Sequence, residues 1–282
     1  AVTAVPNTGY HFVKWGDGVI TATRTDKNVT GNIGVTAEFA INAYTVTFKN
    51  WNGDEIKTQT VEHGSGATAP DEPTREGYYF TGWDADFSNV TSDLTITAVF
   101  AINEYTLTYT SGANGSITGT TTQAVSYGSD GTAVTAVPNT GYHFVKWGDG
   151  VITATRTDKN VTGNIGVTAE FAINAYTVTF KNWNGDEIKT QTVEHSSGAI
   201  APDEPAKDGY HFTGWDIDFS NVTANLTVTA VFAINEYTLT YAAGANGSIS
   251  GTTPQTVSYG SDGTAVTAVP NTGYHFVKWG DG

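Results

Sequence analysis

The stretch V-T-A-E-F-A-I-N-A-Y-T-V-T-F, residues 35–48, places one alternating run directly against another. In the second run Tyr44, Val46 and Phe48 face one way and Thr45 and Thr47 the other, the period-2 signature of a half-buried strand. Only Ile41, Asn42 and Ala43 separate the last strand of one segment, Val35–Ala40, from the first strand of the next, Tyr44–Phe48. So short a connection, without a Gly/Ser or Pro-rich tether, leaves no slack. It predicts neighbouring modules in fixed orientation, a rod-shaped array, with Ile41 packed into the junction.

The tetrapeptide F-A-I-N recurs at Phe39–Asn42, Phe100–Asn103, Phe171–Asn174 and Phe232–Asn235. Ile41, Ile102, Ile173 and Ile234 are therefore four equivalent junction residues, spaced alternately by a short and a long unit. The compound period is 132 residues, and residues 1–150 differ from 133–282 at fifteen positions. A fixed period is the mark of an array, which works by length, spacing and number. The segments are 1–40 (the end of a long unit), 41–101 (short), 102–172 (long), 173–233 (short) and 234–282 (the start of a long unit). The array is expected to extend beyond both ends of this window.

Leu94, Ile96, Ala98 and Phe100 alternate in the same way against Thr95, Thr97 and Val99, and turn signals such as Asn52-Gly53, Asn114-Gly115 and Asp130-Gly131 divide the runs. No 3.6-residue period is sustained. The expected fold is mainly β: a tandem array of small antiparallel modules, with about four strands in the short unit and five to six in the long one. Each unit carries G-Y-x-F-x-x-W, and its aromatic residues Tyr78, Phe80, Trp83, Tyr142, Phe144, Trp147, Tyr210, Phe212 and Trp215 are assigned to the core. The exchange of Tyr79 for His211 puts the middle position in solvent. There is no cysteine, so aromatic burial has to do what disulfides do in other small modules.

The short unit, Y-T-V-T-F…P-T-R-E-G-Y-Y-F-T-G-W-D…L-T-I-T-A-V-F, resembles the Listeria–Bacteroides repeat, also called the internalin-type B repeat. The long unit, G-A-N-G-S-I…G-T-A-V-T-A-V-P-N-T-G-Y-H-F-V-K-W-G-D-G, is similar to the divergent B-repeat of bacterial surface proteins. The resemblance implies a compact β-grasp-like module in very large secreted or wall-attached proteins, a stalk or adhesion role, and no catalytic residues to carry over.

The net charge of −15 argues against nucleic acid and anionic membrane surfaces, and no apolar run is long enough to insert into a bilayer. Trp51-Asn52 and Trp183-Asn184 stand apart from the motif, just before an Asn-Gly turn at a hairpin tip. They read as contacts to a glycan, a partner protein or the neighbouring module, against the alternative of packing on their own module. Asp54, Glu55, Asp84, Asp86 and Asp149 read as solvated acids, because no calcium-loop spacing surrounds them. The six histidines are isolated, so no metal and no cofactor is expected, and no nucleophile–base arrangement points to an enzyme. The expected function is a non-catalytic stalk, spacer or fibre segment of an extracellular, surface- or wall-attached protein. Its partners would be neighbouring repeats and further copies of itself, joined head-to-tail. The alternative is an adhesin whose repeats bind glycan or protein weakly and multivalently.

Overall fold

In the short unit the two strands that carry fully buried side chains take the centre of the sheet. The computed structural model describes residues 1–280; Asp281 and Gly282, the last two residues of the 234–282 segment, lie outside the described residues. Four strands, Ala43–Lys49, Glu55–Glu62, Tyr78–Trp83 and Leu94–Ile102, form one sheet in the order second, first, fourth, third. Ala43–Lys49 pairs antiparallel with its hairpin partner, Ala43 opposite Glu62. On its other side it pairs with Leu94–Ile102 in parallel, Val46 opposite Leu94 and Phe48 opposite Ile96. Tyr78–Trp83 completes the sheet antiparallel to Leu94–Ile102.

The fold is mostly antiparallel, as expected, and the central pair is its parallel exception. Alternation fixes which face of a strand is buried, but not the direction of its neighbour. Val46, Phe48 and Ile96 are each fully buried, which contributes about 1.5–3 kcal/mol per side chain. Putting both strands at the centre buries all three residues at once. Phe48 is met edge-on by Trp83 (5.0 Å between ring centres) and by Phe87 (5.2 Å), and Phe80 continues the cluster to Trp83 and Phe100. Tyr79 is 56% exposed. A bulge between Phe80 and Gly82 lets Trp83 turn back toward the core opposite Ala98.

The chain divides into two compact units. The first comprises residues 1–110, 118–135 and 155–167 and contains the sheet just described. It also holds the antiparallel pairing of Thr122–Ser126 with Glu104–Thr108, and two short ribbons, Val2–Thr3 with Thr23–Arg24 and Val134–Thr135 with Thr155–Arg156. Each ribbon buries an arginine: Arg24 is forked between Asp17 and Asp26, and Arg156 is paired with Asp158. The Arg24 guanidinium holds the Asp17 carboxyl below its usual range.

The second compact unit comprises residues 111–117, 136–154 and 168–282. It repeats the four-stranded sheet with Ala175–Lys181, Glu187–Glu194, Tyr210–Trp215 and Leu226–Ile234. Val178, Phe180 and Val228 are its fully buried centre. Tyr142–Trp147 pairs antiparallel with the strand ending at Ile173, and Trp147 there is fully buried and donates its indole N–H to the Thr153 carbonyl (3.0 Å). Residues 102–172 contribute to both compact units and hold seven strands, more than sequence periodicity suggests. The extra ones are short: Gly115–Thr118 follows an Asn-Gly turn and Thr155–Arg156 has two residues. No helix of the described residues is long and apolar enough to cross a membrane.

Candidate functional site

Where one segment meets the next, the backbone of a single residue serves both. The Asn42 N–H donates to the Gly9 carbonyl behind it (2.8 Å), and the Asn42 carbonyl accepts from the His63 N–H ahead of it (2.8 Å). Asn103 does the same between Gly77 (2.9 Å) and Tyr127 (2.8 Å). Asn174 links Gly141 to His195, and Asn235 links Gly209 to Tyr259, at 2.8–2.9 Å. Each glycine is the first residue of G-Y-x-F-x-x-W; His63 and His195 directly follow the second strand of their segment, and Tyr127 and Tyr259 directly follow the third strand of theirs. The backbone hydrogen bonds of the joint are therefore made by the fourth letter of F-A-I-N. Ile41, Ile102, Ile173 and Ile234 lie opposite the motif tyrosines Tyr10, Tyr78, Tyr142 and Tyr210 as the last rungs of the preceding sheets. Ile102 and Ile234 are 36% exposed.

The glycine is required twice at this point. Gly77 adopts φ +75°, a left-handed conformation that costs a side-chain-bearing residue about 1–2 kcal/mol. Any Cβ would also run into the Tyr127 ring, which lies flat over the glycine. Gly9, Gly141 and Gly209 share the left-handed φ, and are covered by His63, His195 and Tyr259 respectively.

Two kinds of joint alternate. At the long-to-short joints the covering ring is His63 or His195, packed beside Tyr44 or Tyr176. The Nδ1 of each is buried without a hydrogen-bond partner. A second histidine meets the Oδ1 of the junction asparagine through its Nδ1 at three joints, His11 with Asn42 and His143 with Asn174 (2.9 Å) and, at a short-to-long joint, His211 with Asn235 (3.0 Å). At the short-to-long joints the ring is Tyr127 or Tyr259. Its hydroxyl donates to the carboxylate just before the glycine: Tyr127 to Glu76 (2.8 Å) and Tyr259 to Asp208 (3.0 Å). These hydrogen bonds raise the pKa of both phenols above the ordinary 10.

The hairpin-tip tryptophans lie close by. Trp51 is 48% exposed and Trp183 51% exposed, so one face of each indole is open to solvent. Arg75 lies over the Trp51 ring (4.3 Å) and over Tyr78 (3.6 Å); Lys207 lies over Trp183 (4.8 Å) and Tyr210 (3.7 Å). Asn52 and Asn184 are engaged in their own turns, each donating from its side-chain amide to Asp54 or Asp186 (2.6 Å) and accepting that residue's N–H (3.1 Å). Among the described residues no group of three or more His, Cys, Asp or Glu is arranged to hold a metal ion. Sequence reasoning passed over His63, Tyr127 and their equivalents. Their one signal is that V-E-H-G and V-S-Y-G each place an aromatic residue directly after a strand.

The divergent InlB B-repeat model matches residues 1–43, 105–175 and 237–282, more than half of the chain. The chain belongs to the divergent InlB B-repeat family. The Listeria–Bacteroides repeat model matches the intervening residues 44–100 and 176–231, so the two repeat types alternate. Both matched models describe surface-protein repeat domains rather than enzymes. A Gly-rich membrane protein of Evansella cellulosilytica is 27% identical over 76% of this chain and 27% of its own length. A second membrane protein of that organism is 27% identical over 86% of this chain and 40% of its own. Internalin H of Listeria monocytogenes is 40% identical over 29% of this chain and 15% of its own. The chain thus spans less than half the length of each of these relatives. The solved structure of Mub-RV is matched over 69% of this chain and all of its own at 11% identity, with a TM-score of 0.15 that carries no argument.

Proposed function

We propose that this chain is a spacer segment of a cell-surface protein, a run of modules whose joints keep successive repeats at fixed separation. One observation carries the reading: the same joint is built four times, with a shared asparagine backbone and an aromatic ring closed over a left-handed glycine. A flexible linker would leave those backbone groups to water, whereas here they are spent on the neighbours. The B-repeat family and the internalin relative support placement on a bacterial surface. Small-angle scattering on the purified chain tests the proposal. The expected result is a narrow distribution of intramolecular distances that broadens when two glycines are inserted after each of Asn42, Asn103, Asn174 and Asn235. A wild-type distribution as broad as that of the insertion variant would overturn it.

A second reading, weak multivalent adhesion to a glycan or a surface protein, is favoured by the open faces of Trp51 and Trp183. It is the weaker reading, because Arg75 and Lys207 already occupy one face of each indole.

A further inference from the structure

A half-exposed indole at a hairpin tip ordinarily suggests a bound ligand. Trp51 and Trp183 instead sit at the head of a short chain of contacts that ends in the next module. Trp51 stacks on Arg75, and Arg75 stacks in turn on Tyr78, whose N–H donates to the Arg75 carbonyl (3.1 Å). The next residue, Glu76, accepts the Tyr127 hydroxyl, and the one after it, Gly77, lies under the Tyr127 ring. Three consecutive residues thus present a cation to the indole, a carboxylate to the phenol and a bare backbone to the ring. The second short unit builds the same chain from Trp183, Lys207, Asp208, Gly209 and Tyr259.

The differences between the two copies support a joint role. Arg75 becomes Lys207 and Glu76 becomes Asp208, two of the fifteen substitutions, yet the charge at each step and the contact it makes are kept. The indole is unchanged. The long units have none of these parts: Asn7-Thr8 and Asn139-Thr140 precede their glycines, with neither a cation nor a carboxylate.

We propose that Trp51 and Trp183 are positioning residues for the short-to-long joints. Each indole clamps the cation of the loop before the glycine, and so holds Glu76–Gly77 or Asp208–Gly209 where the following module's tyrosine docks. The inference rests on the spacer reading, since a held joint is what a spacer requires.

Hydrogen–deuterium exchange on the full chain, resolved to the joint amides, tests it. An exposed cation–aromatic contact shifts a local opening equilibrium by about two- to fivefold. In the W51A/W183A variant the Tyr127 and Tyr259 amides should therefore exchange about two- to fivefold faster. The His63 and His195 amides, at the other kind of joint in the same short units, should keep their rates. W51F/W183F, which retains an aromatic face for the cation, should restore protection. Unchanged exchange at Tyr127 and Tyr259, or an equal rise at His63 and His195, would overturn the proposal. These local rates do not report the spread of intramolecular distances, so the brace can fail while the spacer reading stands.

Discussion

The two kinds of joint solve one geometric problem with different chemistry. In both, an asparagine bridges backward through its N–H to a glycine and forward through its carbonyl to an aromatic residue, and the aromatic ring covers the glycine. At the short-to-long joint the ring is a phenol whose polar atom is satisfied by a carboxylate on the partner. At the long-to-short joint it is an imidazole that leaves one nitrogen buried and unpaired. A buried polar atom without a partner costs on the order of 1–3 kcal/mol, so the histidine joint is the less optimised of the two. The backbone frame is what the array cannot vary; the ring is where the two kinds of joint differ.

The largest test strikes the part the joints share. Gly77→Ala and Gly141→Ala each add a Cβ at a left-handed position against an aromatic ring. Each should destabilise the chain by roughly 2–5 kcal/mol, summing the conformational and overpacking costs. Denaturant unfolding of the purified variants measures this. If one kind of joint tolerates the methyl group, the two do not share a frame.

A smaller test sharpens the contrast between the rings. His63→Phe with His195→Phe keeps a ring over the glycine while removing the unpaired nitrogen. It should stabilise the chain by about 1 kcal/mol per joint, read as a rise in the unfolding midpoint. A loss of stability would mean that the imidazole is chosen for something besides coverage.

The smallest effect is in pH. The Tyr127 and Tyr259 pKa values are raised by hydrogen bonding to carboxylates. A group whose folded pKa is raised contributes stability that is complete below its unfolded pKa and is lost as pH rises through the folded one. The short-to-long joints should therefore weaken only above about pH 10. The long-to-short joints, which have no phenol over the glycine, should not weaken by this route. An ultraviolet titration should show a late tyrosine step that shrinks in the Y127F/Y259F variant, the remainder belonging to Tyr109, whose phenol is raised by burial and by its hydrogen bond to Asp158.

The strands were legible because their alternation is local: Val46 and Phe48 point inward for reasons contained in seven residues. The parallel pairing of Ala43–Lys49 with Leu94–Ile102 was not, since a strand's pattern carries no address for its neighbour. The joint was half legible. F-A-I-N marked its place and the absence of slack, but the backbone bonds that Asn42 makes on both sides leave no trace in a hydrophobic pattern. The glycine of G-Y-x-F-x-x-W could not be explained within its own repeat, because the ring that requires it belongs to the next one. Trp51 was similarly opaque: its partner Arg75 comes from the far side of a loop, and no spacing rule relates an indole to a cation at that distance.

Because each joint is keyed by what lies on both sides of it, the number of repeats cannot change freely in evolution. Deleting one short unit would set a tyrosine joint against Thr8 or Thr140, with no carboxylate to receive its hydroxyl. Deleting one long unit would bring an imidazole to Glu76 or Asp208, beside a brace meant for a phenol. Recombination preserves every joint only when it adds or removes a long–short pair, 132 residues at a time. The heritable quantum of length in this array is therefore the pair rather than the module.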